Sequence, residues 1–565
     1  MRRIPIIIAL STLTFFAHAQ NPKVQFNGTA RGDIESNKLV KSDTSNIDQN
    51  IKGNTLVDLR MDIKPSENIK IKADLRFRNP MGGFWGQGAA IELRHISLKG
   101  VTTNKFFKYR FGDIDLKLTP YTLYNNNGDL STNEAEIFKT TRDINEEENY
   151  NFGNYWHQQG ADFAFRLGFD KFIQSTDFTG FIVRNRSVVN NTLPDRLHGG
   201  GNIQCNINSK SFIGFNYINL FDLPKTVNDS IKEKFENSVM TSNFKFDFKK
   251  FFAFGEGGVS NEKFVNNKNT KTIDIKGNFF EVGIGKKLSK DNLSIEASFR
   301  RVSDDFYSAG AQTKRLNYTT SPQVLSSVSN NPYSRDAGIF DVVKDPSIYN
   351  PTITPQLMKY NLMFNHVTPY GKATPNRTGF DLEINYKDSA ERYKTNISCQ
   401  LLQDTRGEGT TQLRNYALLN WNGVIAFDKI YHLKKTVSLN AGIQYAKSQR
   451  DGQNVVKDVD LATQAIDVGA TIELVSRFDL LFGSKMVFAK GTEYIDERDT
   501  YNQITGFTQK TLDASQMLHA VSLRYRFTDN VIFSLQGSTF KVKDKADSKN
   551  DYQIKQIYML FNMKF

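Results

Sequence analysis

A two-residue hydrophobic period recurs over most of this chain and constrains its fold more than any other feature. The clearest example is residues 55–78, where one face is apolar and comprises Val57, Leu59, Met61, Ile63, Ile69, Ile71, Ala73, Leu75 and Phe77. The other face is charged and comprises Asp58, Arg60, Asp62, Lys70, Lys72, Asp74, Arg76 and Arg78. Because the period continues on both sides of a turn signal at 65–68, the segment is predicted to be a β-hairpin.

The same period continues to the C-terminal residue, and no long segment shows a helical period of 3.6 residues. The mean hydropathy of −0.48 is too low for a bundle of membrane helices. Outside the N-terminus there is no run of about 18 apolar residues, which a spanning helix needs. Aromatic residues are nevertheless abundant, with 44 Phe and 22 Tyr. The chain is therefore predicted to be nearly all β.

The connections between the predicted strands alternate strictly between short and long. Short turns are expected near 65–68, 102–104, 171–175, 209–210, 249–250, 287–291, 388–391, 429–433, 475–476 and 528–530. Long polar connections are expected between them, including 35–54, 115–158, 303–375 and 491–513. This alternation is typical of a transmembrane up-and-down antiparallel β-barrel with tight turns on one rim and long loops on the other. A sandwich has no reason to sort its loops in this way, and a propeller requires a repeat of about 40–50 residues that is not seen.

Counting strands in this way predicts a single barrel over residues 20–565 with about 22 strands, between 20 and 24. An even number places both termini on the rim of the short turns. The count leaves one alternative open, because the alternation of Tyr360, Leu362 and Phe364 could add a strand inside the longest connection.

The N-terminus has the pattern of an export signal. Arg2 and Arg3 precede the apolar stretch 4–16, and Ala17-His18-Ala19 has the small-x-small form of a cleavage site. Residues 1–19 are therefore predicted to be a secretory signal peptide, with a membrane anchor as the less favoured alternative because the apolar stretch is short. Removing its two arginines lowers the formal net charge from +13 to +11.

The last residues, 557–565, carry apolar side chains at every second position and end on Phe565. This pattern resembles the C-terminal strand of bacterial outer-membrane β-barrel proteins. The resemblance implies that the assembly machinery reads Phe561, Met563 and Phe565. It also implies an outer membrane of the Gram-negative type, periplasmic termini and short turns, extracellular long loops, lipid around the barrel, and contact with other outer-membrane proteins as an option. Nucleic acid is not an expected partner.

Catalytic and metal-binding patterns are not seen in the sequence. His95, His157, His198, His366, His432 and His519 occur singly, without the spacing of a metal motif. No nucleophile motif of a hydrolase occurs, so neither an enzyme nor a cofactor is predicted. The acidic run 143–149 is interpreted as a solvated loop rather than a weak cation site, since it lacks calcium-loop spacing.

The charged face of the 55–78 hairpin is the best functional lead. Its eight charges are expected to point into the lumen, either as a ring that selects ions or as a salt-bridged filling, and the two readings weigh about equally. The first hypothesis is a porin-like passive channel for polar or charged small solutes, with 115–158 and 303–375 as constrictions. The alternative is a structural or accessory barrel of an assembly or secretion complex. A TonB-dependent transporter is disfavoured, because alternation begins near Val24 and leaves no room for a plug domain.

Overall fold

The described part of the chain is one closed β-barrel. The computed structural model describes residues 23–565 apart from 42–47, 82–88, 127–132, 149–152, 171, 189–192, 228–232, 249, 267–270, 289–291, 313–338, 340–352, 354–356, 358–359, 454–455, 457 and 500–502. The predicted signal peptide, 1–19, lies outside these residues. Within them no helix is both long and apolar enough to cross a membrane.

The barrel has 22 strands, each antiparallel to its neighbours in the chain, and the pairing of the first strand with the last closes it. The strands are β1 Lys23–Lys41, β2 Asp48–Ser66, β3 Ile69–Pro80, β4 Ala90–Val101, β5 Phe107–Leu116, β6 Trp156–Gly168, β7 Ser175–Arg186, β8 Asp195–Asn206, β9 Phe212–Leu223, β10 Glu233–Asp247, β11 Phe252–Asn266, β12 Lys271–Leu288, β13 Leu293–Val302, β14 Arg377–Lys387, β15 Tyr393–Gln403, β16 Asn415–Ala426, β17 Val437–Arg450, β18 Val459–Val475, β19 Phe478–Arg498, β20 Ile504–Thr528, β21 Val531–Asp544 and β22 Tyr552–Lys564. The predicted fold and strand number are confirmed.

The closing strands meet at the rim of short turns, named here the turn rim; the opposite rim is the loop rim. Thr29 pairs with Lys564 and Lys41 with Tyr552. At the turn rim the Phe565 N–H donates to Gly28 O at 3.0 Å, and the Gly28 N–H donates to Phe565 O at 2.9 Å. Residues 362–364 form a turn and not an additional strand.

Two of the predicted long connections are wrong in their bounds. Residues 35–54 were assigned to a connection, but β1 continues to Lys41 and β2 begins at Asp48. Residues 491–513 likewise belong mostly to β19 and β20. These strand ends have polar side chains on both faces, which removes the period of two even though the ladder of backbone hydrogen bonds continues.

The outer face of the barrel is apolar. Large apolar side chains that point outward include Ile91 (72% exposed), Ile284 (63%) and Phe380 (64%). Exposed aromatic residues gather near the turn rim and include Phe169, Phe172, Phe248, Phe251, Tyr431, Tyr525 and Phe527. Phe248 and Phe251 stack with ring centroids 4.9 Å apart. An apolar outer band with an aromatic girdle is the surface that a barrel presents to lipid.

Helical structure is confined to the connections among the described residues. The α-helices are α1 Glu136–Glu148, α2 Ala309–Gln312 and α3 Phe427–Tyr431, and the short 3-10 helices are Pro224–Thr226, Gly371–Ala373 and Ser548–Asn550. The two longest connections, 117–155 and 303–376, fold into the lumen, and their described residues are named here the inner layer. Buried apolar clusters lie between this layer and the inner wall. The core is therefore inside the barrel, toward the loop rim. No separate plug domain occurs in the described chain.

Candidate functional site

The inner wall at β2 and β3 carries a ladder of cross-strand ion pairs. The Arg76 guanidinium donates to both carboxylate oxygens of Asp58, at 2.6 and 2.7 Å. Arg60 Nε lies 3.1 Å from Asp74 Oδ1, and Lys70 Nζ lies 3.1 Å from Asp62 Oδ2. Register explains the pairing, since Asp58 is directly opposite Arg76 and Arg60 is opposite Asp74. Cross-strand partners of opposite charge stabilise a sheet.

The C-terminal end of α1 rests on this ladder. Glu148 is 1% exposed and accepts a hydrogen bond from Arg31. Its carboxylate also lies 3.9 Å from Arg76 Nη1 and 3.8 Å from Arg78 Nη2. Carboxylates at a helix C-terminus oppose the helix dipole, so the surrounding arginines offset an arrangement that would be unfavourable in isolation.

Arg94 completes this contact from β4. Its Nη2 donates to the carbonyl oxygen of Glu147 at 2.7 Å and also reaches that of Glu148, at 3.3 Å. These carbonyls belong to the last turn of α1, where no intrahelical N–H is available to them. The interpretation of 143–149 as a solvated loop is therefore wrong for the described residues 143–148, which form the end of a helix docked on arginines.

The N-terminal end of α1 is bound to the wall at β18–β20. Glu134, just before the helix, pairs with Lys485 and Arg142. Glu136 Oε1 lies 2.9 Å from Arg524 Nη1. A Cβ at Gly483 would lie 2.5 Å from the Phe138 ring, so the glycine makes room for this side chain against the wall. Both ends of α1 are thus anchored, on strands that lie on either side of the barrel closure.

The inner wall at β9–β12 contacts the inner layer through apolar side chains instead. The Phe279 ring stacks on Tyr121 with centroids 3.9 Å apart and meets the edge of Phe306 at 4.9 Å. The inward side chains of this wall that are buried in the same cluster are Ile218, Leu220, Phe235, Val239, Phe264, Ile273 and Phe279. Apolar side chains therefore share the inward positions of this wall with buried polar ones such as Asn237 and Glu281.

Asn237 supplies one of the polar contacts between this wall and the inner layer. Its side-chain amide donates to Tyr307 O at 3.1 Å, and its side-chain oxygen accepts from the Ala309 N–H at 2.9 Å. A buried backbone segment needs such partners, because unpaired N–H and C=O groups are costly away from water. Asn237 thus fixes the start of the 303–376 connection against β10.

The two inner connections bind each other across the lumen. Ser308 Oγ donates to Thr122 O at 2.9 Å, and the Tyr124 N–H donates to Gly310 O at 3.0 Å. The indole N–H of Trp156, a fully buried side chain at the start of β6, also donates to Gly310 O, at 2.7 Å. The connections therefore form one layer rather than two independent loops.

The end of the longer connection contacts a third stretch of wall, at β15–β18. His366 lies with Nδ1 2.8 Å from Ser448 Oγ, and Gln444 Nε2 donates to Phe364 O at 3.0 Å. Burial lowers the pKa of His366 to about 3, so the imidazole is neutral at physiological pH. Lys372 Nζ reaches Glu281 on β12 at 2.6 Å, which extends the layer back to the apolar wall.

The inner layer separates two cavities. The turn-side cavity has a volume of about 1160 Å³, and its basic lining residues are Lys23, Lys64, Lys70, Lys99, Lys108, Arg110 and Lys117. Its acidic lining residues are Glu67, Asp115 and Asp162. Among the described residues, Lys64, Lys99 and Lys108 form no salt bridge.

The loop-side cavity, about 740 Å³, is lined by four arginines and five carboxylates. Its basic members are Arg377, Arg406, Arg414 and Arg498, and its acidic members are Glu262, Asp304, Asp305, Glu408 and Asp496. Excess positive charge is therefore a property of the turn-side cavity.

The eight charges predicted from the 55–78 hairpin are placed by the structure mainly in ion pairs. Six of them pair across β2 and β3 as described; Arg78 lies against Glu92 at 3.6 Å and against Glu148. Lys72 lines a smaller cavity of about 410 Å³. Ion selection by these residues stays a prediction, as does recognition of Phe561, Met563 and Phe565 by the assembly machinery. Sequence reasoning missed the lysines Lys99 and Lys108, which the strand period already places on the inner face.

The fold is that of a membrane-spanning β-barrel of the outer-membrane type. The sheet is closed, its antiparallel strands are neighbours in sequence, and its outer face is apolar with an aromatic girdle. In hydrocarbon every backbone polar group must be paired, and closing the sheet meets that condition without a free edge.

No family model matches this sequence, and a comparison with curated proteins also found no match. Solved structures of similar fold include the outer membrane channel DcaP of Acinetobacter baumannii, at 9% identity and a TM-score of 0.28, covering 96% of this chain and 98% of that one. Pseudomonas aeruginosa OccK8 (OprE) is similar at 8% identity and a TM-score of 0.34, with coverages of 96% and 98%. The FrpB iron transporter from Neisseria meningitidis is similar at 8% identity and a TM-score of 0.43, with coverages of 95% and 82%. The class assignment rests on the barrel itself.

Proposed function

We propose that this barrel is a porin-like passive channel for small polar solutes, with a preference for anions. The observation that carries the proposal is the turn-side cavity, which is lined by seven basic and three acidic side chains. Lys70 and Arg110 pair with Asp62 and Asp162, so the excess charge comes mainly from Lys64, Lys99 and Lys108. Fixed charge in a confined pore raises the local concentration of ions of opposite sign. In contrast, the ladder on β2 and β3 is internally neutralised and contributes little net field.

The lysines of the turn-side cavity are arranged to act on a passing solute. Lys70, Lys99 and Arg110 lie next to each other in the register of β3, β4 and β5. Lys108 is one inward position closer to the turn rim on β5. Lys117, in the inner layer, lies above the rings of Tyr124 and Tyr155 at 5.4 and 5.3 Å. This row leads from the turn rim to the layer that constricts the lumen.

Single-channel recording in planar bilayers under a KCl gradient tests this proposal. We expect a small conductance with a reversal potential on the anion-selective side. Reversing the charge of two lysines (Lys99→Glu with Lys108→Glu) should move the reversal potential toward cation selectivity. The matched control is Lys549→Glu in the 3-10 helix at the loop rim, which should leave the reversal potential unchanged.

The constriction itself is tested by deleting residues 133–148, which include α1. We expect conductance to rise several-fold, because the deletion removes part of the layer that lies across the lumen. A closed trace for both the full chain and the deletion variant, each shown to be folded by heat-modifiable mobility, would contradict a channel. In that case a stoichiometric partner recovered by gentle-detergent co-purification would support the alternative, an accessory barrel of an assembly or secretion complex.

A further inference from the structure

Two histidines that stand 62 positions apart in the sequence meet on the inner wall, although the sequence predicted them to stand alone. The rings of His95 on β4 and His157 on β6 have centroids 5.8 Å apart. Asp113 on β5 lies between them, with Oδ2 4.0 Å from His95 Nδ1 and Oδ1 3.7 Å from His157 Nε2. The nearest ligand atoms of the three residues all lie within 4.8 Å of one another.

Two irregularities of the sheet bring these residues together. The register of β3 and β4 shifts so that Asp74 is opposite His95 and Leu75 is opposite Leu93, which leaves Arg94 as an extra residue. The ladder of β4 and β5 then ends at the pair Ser97–Gly112. Gly112 has φ +95°, and a Cβ there would lie 2.3 Å from Ile96 O, so β5 can turn away from β4 only at a glycine. Bulges of this kind re-aim side chains and are common next to functional sites.

Each member of the cluster is held by a neighbour, and in both histidines the held ring nitrogen is the one farther from Asp113. Asp113 Oδ2 accepts the Ile96 N–H at 2.6 Å, which leaves Oδ1 toward His157. His157 Nδ1 lies 2.9 Å from Asp115 Oδ1, and His95 Nε2 lies 2.8 Å from Ser97 Oγ. When the proton of His157 is on Nδ1, shared with Asp115, the lone pair of Nε2 points toward Asp113. Carboxylates that orient histidines in this way are the usual outer partners of metal-binding imidazoles.

The carboxylates of the cluster also lack the basic partners that their neighbours have. Asp58, Asp62 and Asp74 on the same wall each pair with an arginine or lysine. Among the described residues, Asp113 and Asp115 form ion pairs only with His95 and His157. Both carboxylates therefore have imidazoles, and not an arginine or lysine, as their ion-pair partners.

We propose that His95, His157 and Asp113 form a binding site for a divalent transition-metal ion of the Zn²⁺, Co²⁺ or Ni²⁺ kind. Two imidazole nitrogens and one carboxylate oxygen suit these ions and not Ca²⁺ or Mg²⁺, which take oxygen ligands. Ligand atoms that lie tetrahedrally about 2.1 Å from an ion are about 3.4 Å from one another. Side-chain rotations that move the ligand atoms by about 1 Å therefore bring the three residues into coordinating positions.

The fourth position of the ion faces water. His95, His157 and Asp115 line the cavity of about 410 Å³ on the inner wall. A bound ion would join β4 to β5 and β6 beyond the end of the β4–β5 ladder, where Ser97–Gly112 is the last backbone pair.

Isothermal titration calorimetry with ZnCl₂ on chelator-treated protein in detergent tests the site. We expect one ion per chain in the wild type and loss of that binding in both His95→Gln and His157→Gln. Asp115→Asn, which removes only the orienting carboxylate, should weaken binding about 10–100-fold. Titration with CoCl₂ should produce the visible absorption of a low-coordinate cobalt–imidazole site in the wild type alone.

His432→Asn, at an exposed turn between β16 and β17, is the matched histidine control and should bind as the wild type does. Heat-modifiable mobility on gels shows that each variant is folded, and His95→Gln decides alone if His157→Gln does not fold. Wild type that binds no Zn²⁺, or equal binding by wild type and both histidine variants, would overturn the site. Neither measurement requires conduction, so the metal site and the channel can fail independently.

Discussion

Strands β1–β4 and strands β9–β12 both face the inner layer, the first group through ion pairs and the second through apolar side chains. On the first wall Glu148 is surrounded by Arg31, Arg76 and Arg78. On the second wall Phe279 packs between Tyr121 and Phe306. Buried ion pairs gain Coulomb energy but lose hydration, whereas apolar burial is favourable without a partner of defined geometry. The charged wall therefore chiefly positions the inner layer, and the apolar wall chiefly stabilises it.

The strongest test of this comparison removes packing from the apolar wall. Phe279→Ala should lower the free energy of unfolding by about 3–5 kcal/mol, because it creates a cavity beneath Tyr121 and Phe306. Urea unfolding of the barrel in lipid vesicles measures this change. Phe280→Ala, on the same strand but pointing outward and 44% exposed, is the control and should cost much less. Equal losses for the two variants would contradict a core inside the lumen.

The next test removes the charge at the centre of the ion-paired wall. Glu148→Gln should lower the free energy of unfolding by about 2–3 kcal/mol. This is less than the usual loss for a broken buried ion pair, because Arg76 still pairs with Asp58. The larger effect is expected on the position of α1 in the lumen. Conductance noise and open probability should increase as the end of α1 loses its arginine contacts. Unchanged recordings would show that the apolar wall alone places the layer.

Asp404 lies where ion pairs and apolar packing meet, and its effect on the free energy of unfolding depends on pH. Asp404, just after β15, is 1% exposed beside Leu402 and Tyr416, and it accepts from Arg377 at 3.2 Å. Burial raises the pKa of Asp404 to about 6, although Arg377 and Arg414 oppose the shift. Between about pH 4 and pH 6 the Asp404 carboxyl group is therefore protonated in the folded chain and ionised in the unfolded chain. Its stabilising effect is complete below about pH 4 and is lost as the pH rises through about 6.

Asp404→Asn should remove this dependence. Between pH 5 and pH 7.5 the wild type should lose about 1–3 kcal/mol more unfolding free energy than the variant does. Parallel urea titrations at the two pH values measure the difference. Identical pH dependence in both proteins would place the carboxylate of Asp404 in contact with water.

The smallest effect on stability is expected for ion pairs that are exposed to solvent. At the turn between β14 and β15, Glu391 pairs with Lys387 at 2.7 Å and with Lys429 at 2.8 Å. These pairs lower the pKa of Glu391 to about 2. Glu391→Gln should nevertheless leave the urea midpoint unchanged within error, because exposed ion pairs are screened. A shift as large as that of Glu148→Gln would mean that burial is not what separates the two sites.

The sequence predicted the apolar outer face and the inward direction of the charges of 55–78, because both depend on neighbouring residues, but it left open whether those charges pair. Alternation along β2 and β3 placed Asp58 and Arg76 on one face, and the turn at 65–68 set them opposite each other. At Ile218 and Val239 the alternation gave no such indication, because the partners of these inward apolar residues come from a distant connection. The acidic residues up to Glu148 were misread for the same reason, since the arginines that bind Glu148 lie on β1 and β3.

The sequence alone therefore determined a closed barrel of about 22 antiparallel strands and its apolar exterior. A period of two fixes which side of a strand faces lipid, and loop parity fixes the order of strands. The contents of the lumen and the meeting of His95 with His157 depend on tertiary contacts. Those contacts join residues such as Glu136 and Arg524, which only the closure of the sheet and the folding of connections into it bring together. No local period in a sequence records the result of that closure.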